Sequence, residues 1–187
     1  MPLLLRPWTP DDADDLSRAA RAGHDLASQF GGTDLTDASA ARSFIERFLR
    51  FDDAAKNWAI EVDGHAVGNV AATGIEFRHQ TAWMSYWLAP AARGQGVAAR
   101  ALVRVSEWAF DAGLHRLELG HRVNNPASCR VAHAAGYLAE GVEREKLRYG
   151  DERYDVETHA RLATDPRPPE RGTAVALRTE VPARRRS

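Results

Sequence analysis

The sequence of 187 residues has little cysteine, little net charge and no long apolar segment. Its one cysteine, Cys129, excludes an internal disulfide and cannot build a zinc site alone, so no metal is expected. A net charge of −1 gives no general attraction to nucleic acid or to an anionic membrane. No segment approaches the roughly 18 consecutive apolar residues of a membrane span, and residues 3–5 are too few for the core of a signal peptide. These absences predict a cytoplasmic protein.

The C-terminal segment 164–187 differs in composition from the rest of the chain. It contains six arginines against three acidic residues, and four of its positions are prolines. This composition predicts a poorly ordered extension after a single domain of residues 1–163. Nucleic-acid binding by the arginines at 184–186 is the alternative, and a solvated tail is favoured over it.

Turn residues and apolar periodicity divide the domain into short elements. The tight Asp63-Gly64 turn makes residues 58–88 an antiparallel meander, whereas the helix between 81–88 and 116–121 makes those two strands parallel. The sequence therefore predicts one α/β (α+β) domain with a mixed, mainly antiparallel twisted sheet flanked by helices. Strands are predicted at 3–6, 58–62, 65–77, 81–88, 116–121, 147–149 and 154–162, and helices at 10–22, from 37, at 97–112 and from 126.

Residues 93–98 lie between a predicted strand and a predicted helix. Gly94 and Gly96 allow a sharp turn there, and the N–H groups of the loop and of the first helical turn converge without partners inside the helix. Such a concavity binds a phosphate, and Arg93 adds positive charge at its rim. An ordinary turn is the alternative. A nucleoside-triphosphatase loop is excluded because Gly-Lys-Ser/Thr is missing, and a dinucleotide fingerprint is unlikely because Ala99 occupies its third glycine position.

The motif Arg-x-x-Gly-x-Ala at 93–98 resembles the acetyl-CoA motif of the GNAT superfamily of N-acetyltransferases. Further segments resemble the RimJ/RimL branch, the ribosomal-protein N-acetyltransferases, in order and near-correct spacing: 85–90, 108–110, 114–119, 125–128, 136–137, 140–141, Gly150 and Asp155. The resemblance covers about residues 3–163. It implies a GNAT-like single domain in which a central strand pair, here 81–88 and 116–121, splays apart to admit acetyl-CoA.

In such enzymes the pantetheine arm of coenzyme A lies along the first strand of that pair, and its pyrophosphate lies on the following loop. The resemblance therefore implies that the strand end, the loop and the start of the next helix bind the cofactor. The implied cofactor residues are Trp87, Leu88, Ala89, Arg93, Gly94, Gln95, Gly96, Val97, Ala98, Asn125, Ser128 and Arg130. Two of them also have a purely structural interpretation, Asn125 as a helix N-cap and Arg130 as a solvated arginine on a helix.

The resemblance implies direct transfer of the acetyl group to a primary amine, without a covalent enzyme intermediate. Ser128 matches a serine that is thought to protonate the departing CoA thiolate in the RimL-like branch. The tyrosine that many GNAT enzymes place seven residues after the asparagine is replaced by Ala132, which favours Ser128 or a bound water as the acid. The backbone N–H of Leu88 is expected to polarise the thioester carbonyl. Cys129 reads as a small buried side chain.

The resemblance does not assign the general base. Trp83 stands where the branch often has a carboxylate. Glu76 is therefore the candidate base, with His79, His121 or a chain of waters as alternatives, because these side chains stand near strand ends.

The chain is thus expected to be an acetyl-CoA-dependent N-acetyltransferase. Its acceptor is a peptide or protein N-terminus, or a small amine such as an aminoglycoside, a polyamine or an amino acid. A non-catalytic acyl-CoA-binding or regulatory domain is the alternative, because the usual carboxylate and tyrosine are missing. Homodimers are common in this branch, and a homodimer is one expected assembly.

Overall fold

An eight-stranded mixed sheet organises the molecule in the computed structural model, which describes residues 2–169 and 172–180. The order across the sheet is β6-β7-β5-β4-β3-β2-β1-β8. The pairs β4–β5 and β1–β8 are parallel, and the remaining neighbours are antiparallel, which confirms the predicted mixed sheet. The strands are β1 Leu3–Pro7, β2 Ala55–Val62, β3 His65–Glu76, β4 Thr81–Leu88, β5 Arg116–Arg122, β6 Leu138–Tyr149, β7 Glu152–Leu162 and β8 Val175–Leu177.

Within the described residues, four α-helices cover the two faces of the sheet, and side-chain caps fix where two of them begin. The Asp37 carboxylate accepts a hydrogen bond from the Ala40 N–H at 3.0 Å, and the Asn125 side chain accepts one from the Ser128 N–H at 3.2 Å. The helices are α1 Ala13–Ala22, α2 Ala38–Phe48, α3 Val97–Asp111 and α4 Pro126–Ala134, with short 3₁₀ segments at Pro10–Asp12, His24–Phe30 and Pro90–Ala92.

The alternation of side chains along the strands produces two separate cores. In β2, Trp58 and Ile60 point toward the core beneath α3, whereas Ala59 between them belongs to the core beneath α1 and α2. In β4, Met84 belongs to the first core and Trp87 to the second. The sheet is therefore buried on both faces near its centre.

The central pair β4–β5 is hydrogen-bonded over only part of its length. Thr81, Ala82 and Trp83 pair with residues 116–118, and beyond them the two strands run apart. Each strand keeps its outer partner over its whole length, since Leu88 still pairs with β3 and Arg122 still pairs with β7. The expected splay is present, and it opens a gap within the sheet at the carboxyl ends of β4 and β5.

The final hairpin is longer than the sequence predicts. Its first strand, β6, begins at Leu138 and not at residue 147. The sequence does not predict the segment 138–146 as a strand, because this segment is rich in charged residues and shows no apolar alternation. Such a strand forms because it lies at the edge of the sheet, where most of its side chains remain in solvent.

The described residues after 163, which are 164–169 and 172–180, are more ordered than their composition suggests. Residues 175–177 form β8 and pair in parallel with β1, and the Trp58 indole donates a hydrogen bond to the Arg178 carbonyl at 3.0 Å. Val175 and Leu177 pack against the first core. This burial stabilises the segment, although its average composition is rich in proline and arginine. This corrects the expected disordered extension for the described part of the tail. Residues 170, 171 and 181–187, which include the arginines at 184–186, lie outside the described residues.

Replacing Gly68 in β3 should destabilise the fold at the strand that borders the gap. A β-carbon on Gly68 would lie 2.4 Å from the Trp87 carbonyl oxygen and 2.6 Å from Leu88 Cδ2, so Gly68→Ala must push β3 and β4 apart. We expect a loss of about 1–3 kcal/mol in the free energy of unfolding, measured by urea denaturation. The control Gly141→Ala meets only Thr158 Oγ1, at 4.0 Å, and should change that free energy by less than about 0.5 kcal/mol. Equal effects of the two substitutions would contradict this account.

Candidate active site

The gap between β4 and β5 opens into a cleft with a volume of about 410 Å³. One wall consists of the end of β4, the loop that follows it and the first turn of α3. The other wall consists of Arg122 at the end of β5 and one face of α4 from its first turn to its last residue, and the segment His24–Phe30 contributes Asp25, Leu26 and Gln29 to the rim of the cleft. The cleft therefore lies where the sequence places the splayed strand pair.

The loop between β4 and α3 has the conformation that an anion site requires. Gly94 has φ 76° and Gly96 has φ 72°, the left-handed region that glycine tolerates, and added β-carbons would meet no atom within 4 Å. Gly96 is the N-cap of α3 and offers no side-chain cap, so the first N–H groups of the helix remain without intrahelical partners. Gly94, Gly96, Val97 and Ala98 all line the cleft. Together with the helix dipole, these groups favour a phosphate at this point.

Two loop side chains are engaged within the protein. The Arg93 guanidinium donates to the Leu88 carbonyl at 3.0 Å and forms an ion pair with Asp25 at 2.9 Å, while still lining the cleft. The Gln95 amide donates to the Ala91 carbonyl at 3.1 Å and does not belong to the cleft lining. Arg93 thus fastens the loop to the strand end and to the rim, and Gln95 stabilises the preceding turn.

The end of β4 presents backbone, rather than side chains, to a ligand. The Ala89 N–H donates a hydrogen bond to the carbonyl of Val67 in β3 at 2.8 Å. Ala89 is therefore directed toward β3 and does not line the cleft. Because alternate peptide groups of a strand point to opposite edges, the N–H of Leu88 is directed into the gap. The Trp87 ring is buried on the other face of the sheet, 5.4 Å from Phe30. Leu88 is therefore the strand-end residue placed to donate to a ligand.

The opposite wall joins α4 to β4 through Tyr86, a residue to which the sequence argument gave no role. The Tyr86 hydroxyl donates to the Ser128 carbonyl at 3.1 Å, and burial raises the pKa of this phenol to about 12, so it stays protonated at physiological pH. The Ser128 N–H is held by Asn125, and its hydroxyl makes no hydrogen bond within the described residues. The cleft is lined by Asn125, Ser128 and the exposed Arg130 together.

The structure does not place Glu76 at the cleft, which corrects its choice as the base. Glu76 pairs with Thr81 at the beginning of β4, about seven residues and roughly 23 Å from Leu88 at the other end. Its carboxylate instead accepts hydrogen bonds from the N–H groups of Arg78 and His79 in the turn, and the His79 bond in particular lowers its pKa. His79 lies in the same exposed turn, so it is excluded for the same reason.

The other predicted histidine and the cysteine lie beneath α4. His121 is 8% exposed, and its Nε2 atom is 3.0 Å from Nε2 of His159, outside the cleft lining. Partial burial, reinforced by the carboxylate of Glu157, raises the pKa of the Cys129 thiol, which makes it a poor nucleophile at neutral pH. Neither side chain is placed to act on a ligand in the cleft.

Among the described residues that line the cleft, Asp25 is the carboxylate. It sits in the 3₁₀ segment after α1, a region of the sequence without a diagnostic motif. Asp25 forms an ion pair with Arg93. The lining contains three arginines, Arg93, Arg122 and Arg130, against this one carboxylate. The cleft is therefore predominantly cationic.

The chain belongs to the GNAT family of acetyltransferase domains. The family model "Acetyltransferase (GNAT) domain" matches residues 2–138, which is most of the chain. The prediction from the residues at 93–98 and 125–128 is thereby confirmed at the level of the family.

Individual relatives agree with this assignment. The chain is 31% identical to the ribosomal-protein-serine acetyltransferase of Escherichia coli (strain K12) over 109 residues, 58% of this chain, and it spans about three-fifths (61%) of the length of that relative. Among solved structures, RimJ of Mycobacterium smegmatis in complex with CoA-disulfide matches with a TM-score of 0.73 and 26% identity, covering 85% of this chain and 81% of that one. The spermidine N-acetyltransferase of Vibrio cholerae in complex with CoA and spermine shares the fold, with a TM-score of 0.73 at 20% identity over 87% of this chain and 96% of that one.

Proposed function

We propose that the protein is an acetyl-CoA-dependent N-acetyltransferase that moves the acetyl group directly onto a primary amine. The observation that carries this proposal is the cleft itself. The gap between β4 and β5 leaves the backbone edge of β4 unpaired at Leu88, and it ends at the loop before α3 in which Gly94 and Gly96 have positive φ. This arrangement matches a ligand that consists of a linear, amide-containing arm and a pyrophosphate. The arm adds to the edge of β4 as a strand would, and the pyrophosphate lies on the N–H groups of 94–98.

The chemical step uses a backbone N–H and a side-chain hydroxyl of the chain, and water takes the proton of the acceptor. The Leu88 N–H donates to the thioester carbonyl and stabilises the negative charge that develops on its oxygen. The Ser128 hydroxyl gives its proton to the departing thiolate and regains one, through water, from the nitrogen that has attacked, so the serine ends the step neutral. Tyr86 holds the backbone of Ser128 in position for this. The proton of the attacking ammonium leaves to water at the open side of the cleft, because Asp25 is already paired with Arg93.

We infer that the acceptor is the α-amino group of a peptide or protein. An α-amine has an ordinary pKa of about 7.7–8.0, so much of it is neutral at pH 7.5, whereas an alkyl amine near 10.4 needs a strong base that this cleft does not contain in its described lining. The arginines of the lining also oppose a polyamine with several positive charges. The similarity to a ribosomal-protein-serine acetyltransferase agrees with this choice.

We also propose a cytoplasmic location and a homodimer, with no nucleic acid and no membrane as partner. Among the residues that the structure describes, no helix combines the length and apolar character needed to cross a bilayer. The edge strand β6 exposes Leu138 and Val142, at 62% and 53%, which is the kind of surface that a second copy covers.

The test of the proposed function is binding and turnover with acetyl-CoA. Acetyl-CoA at about 100 times its Kd should stabilise the protein by about 2.7 kcal/mol, which corresponds to a rise of roughly 5–10 °C in Tm. Turnover of a peptide N-terminus is measured in parallel by release of the CoA thiol. ATP, which offers phosphates without a pantetheine arm, is the control and should shift Tm much less. A shift without turnover on any amine would support the alternative of a non-catalytic acyl-CoA sensor, and no shift at millimolar acetyl-CoA would refute both.

Ser128→Ala should lower kcat while leaving the KM for acetyl-CoA within about twofold. Loss of a general acid costs about 100-fold or more in other enzymes, and we expect about 10- to 100-fold here because a thiolate is a good leaving group. Steady-state rates are compared with those of Ser43→Ala, an exposed serine of α2 outside the cleft lining, which should behave as the parent does. An unchanged kcat for Ser128→Ala would remove Ser128 from the acid role.

The dependence of rate on pH should distinguish the acceptor classes. At pH 7.5 the kcat/KM for a peptide α-amine should exceed that for a polyamine or an alkyl amine by at least about tenfold. Between pH 8 and pH 9 this ratio should fall by roughly five- to sevenfold, because the neutral fraction of an alkyl amine rises almost tenfold whereas that of an α-amine, already about half or more at pH 8, rises less than twofold. The measurement is a pH series with both amines at fixed acetyl-CoA. A ratio that stays constant over this range would indicate a dedicated base and would contradict the proposed water route.

A further inference from the structure

Four side chains from three elements converge beneath α4, outside the cleft. They are His121 of β5, Cys129 of α4, and Glu157 and His159 of β7, and their ligand-type atoms all lie within 4.8 Å of one another. The two Nε2 atoms are 3.0 Å apart, and the Glu157 carboxylate oxygen is 3.0 Å from His159 Nε2 and 3.3 Å from His121 Nε2. None of the four residues belongs to the lining of the cleft.

The protons of this cluster do not satisfy its lone pairs. The backbone carbonyl of Arg122 can only accept, so His121 Nδ1, at 3.0 Å from it, must carry the proton. In a neutral imidazole the Nε2 atom of His121 then presents a lone pair, directed at His159 Nε2 and at the carboxylate. His159 Nε2 has one proton at most to share between these two acceptors, and its Nδ1 atom is buried without a partner. With both rings neutral, the two imidazoles and the carboxylate therefore direct more lone pairs at one another than there are protons to share.

The geometry fits a tetrahedral transition metal. With bonds of about 2.0–2.3 Å, the ligand atoms of a tetrahedral zinc ion are roughly 3.3–3.8 Å apart. The two histidines and Glu157 already approach this separation at 3.0–3.3 Å, and Cys129 completes the set from the first half of α4. The bond from His121 Nδ1 to a backbone carbonyl is the outer contact that orients a metal-bound histidine.

We propose that His121, Cys129, Glu157 and His159 bind a divalent transition-metal ion of the Zn²⁺ type. The ion joins α4 to β5 and β7 and so braces the helix whose first turn carries Asn125 and Ser128. On binding, the Cys129 thiol loses its proton to solvent and the thiolate becomes the fourth ligand. The ion takes no part in acetyl transfer, which needs only acetyl-CoA and the amine, so this site and the proposed activity can succeed or fail separately.

The experiment is a titration of the full chain with Co²⁺ after treatment with a chelator. We expect one equivalent to bind, with the intense visible absorption of tetrahedral Co²⁺ and a thiolate-to-cobalt charge-transfer band, and Zn²⁺ should displace it and raise Tm. Cys129→Ser should abolish the charge-transfer band and weaken binding by at least about tenfold, since even an outer partner of a ligand is worth about 10- to 100-fold. Glu157→Gln, at the partly exposed side of the cluster, should weaken it similarly.

The matched control is His133→Gln. His133 lies on the same helix, and its ring contacts that of His159 with centroids 5.3 Å apart, but it contributes no atom to the cluster. It should leave the Co²⁺ spectrum and affinity unchanged. A pale octahedral spectrum, a charge-transfer band that persists in Cys129→Ser, or no binding at millimolar Co²⁺ would overturn the proposal and would mean that the cluster shares a proton instead. Cys129→Ser and Glu157→Gln alter partly exposed side chains, so both variants should fold. The test therefore does not depend on substituting the buried His121 or His159.

Discussion

The incomplete pairing of two parallel strands is the constraint on which the rest of this molecule depends. Beyond Trp83, β4 and β5 separate, and the peptide groups at their facing edges lose their ladder partners. Unpaired backbone groups are costly when they are buried, so such a gap persists only where water or a ligand reaches it. The full-length pairs β3–β4 and β5–β7 hold the two strands apart on rigid supports. The gap at the centre of the sheet is therefore lined by backbone groups, and its existence does not depend on particular side chains.

The polar features of the cleft follow from the same gap. The chain leaves β4 through a turn fastened by Arg93 to the Leu88 carbonyl, and α3 starts there with unpaired N–H groups. On the far side, α4 starts at Asn125, and Tyr86 ties it back across the gap through the Ser128 carbonyl. This one hydrogen bond thus links the strand β4 to Ser128, the proposed general acid. The burial that raises the pKa of Tyr86 also keeps this bond free of titration at physiological pH.

Local signals in the sequence were enough to locate the cleft and the glycine loop that borders it. Apolar periodicity and glycine predict β4 and α3 to within a residue, and Asn125 caps α4 as expected. Features that depend on tertiary neighbours could not be found in this way. Glu76 stands at a strand end, but a strand has two ends, and only the register with Thr81 shows that this is the distant one. The strands β6 and β8 were missed or shortened because edge strands need no apolar alternation.

The cluster beneath α4 illustrates the same limit in another form. Its members are separated by eight, twenty-eight and two positions along the chain, which matches no metal-binding spacing, so a single cysteine gave no reason to expect a site. They meet because β5 and β7 are antiparallel neighbours in which His121 faces Glu157, and Leu119 faces His159. The pairing of strands, and not a motif, brings these groups together.

The charge of the cleft argues for the kind of acceptor more strongly than the fold does. The same fold serves a spermidine N-acetyltransferase, so architecture alone does not choose between amines. Here the lining offers three arginines and one carboxylate, and that carboxylate is paired. Such a surface favours anionic groups and repels a polycation, and its described lining offers an ammonium ion no unpaired carboxylate. An amine with a substantial neutral fraction at physiological pH suits this arrangement best, and among protein amines the α-amino terminus meets that condition, which supports the proposed acceptor.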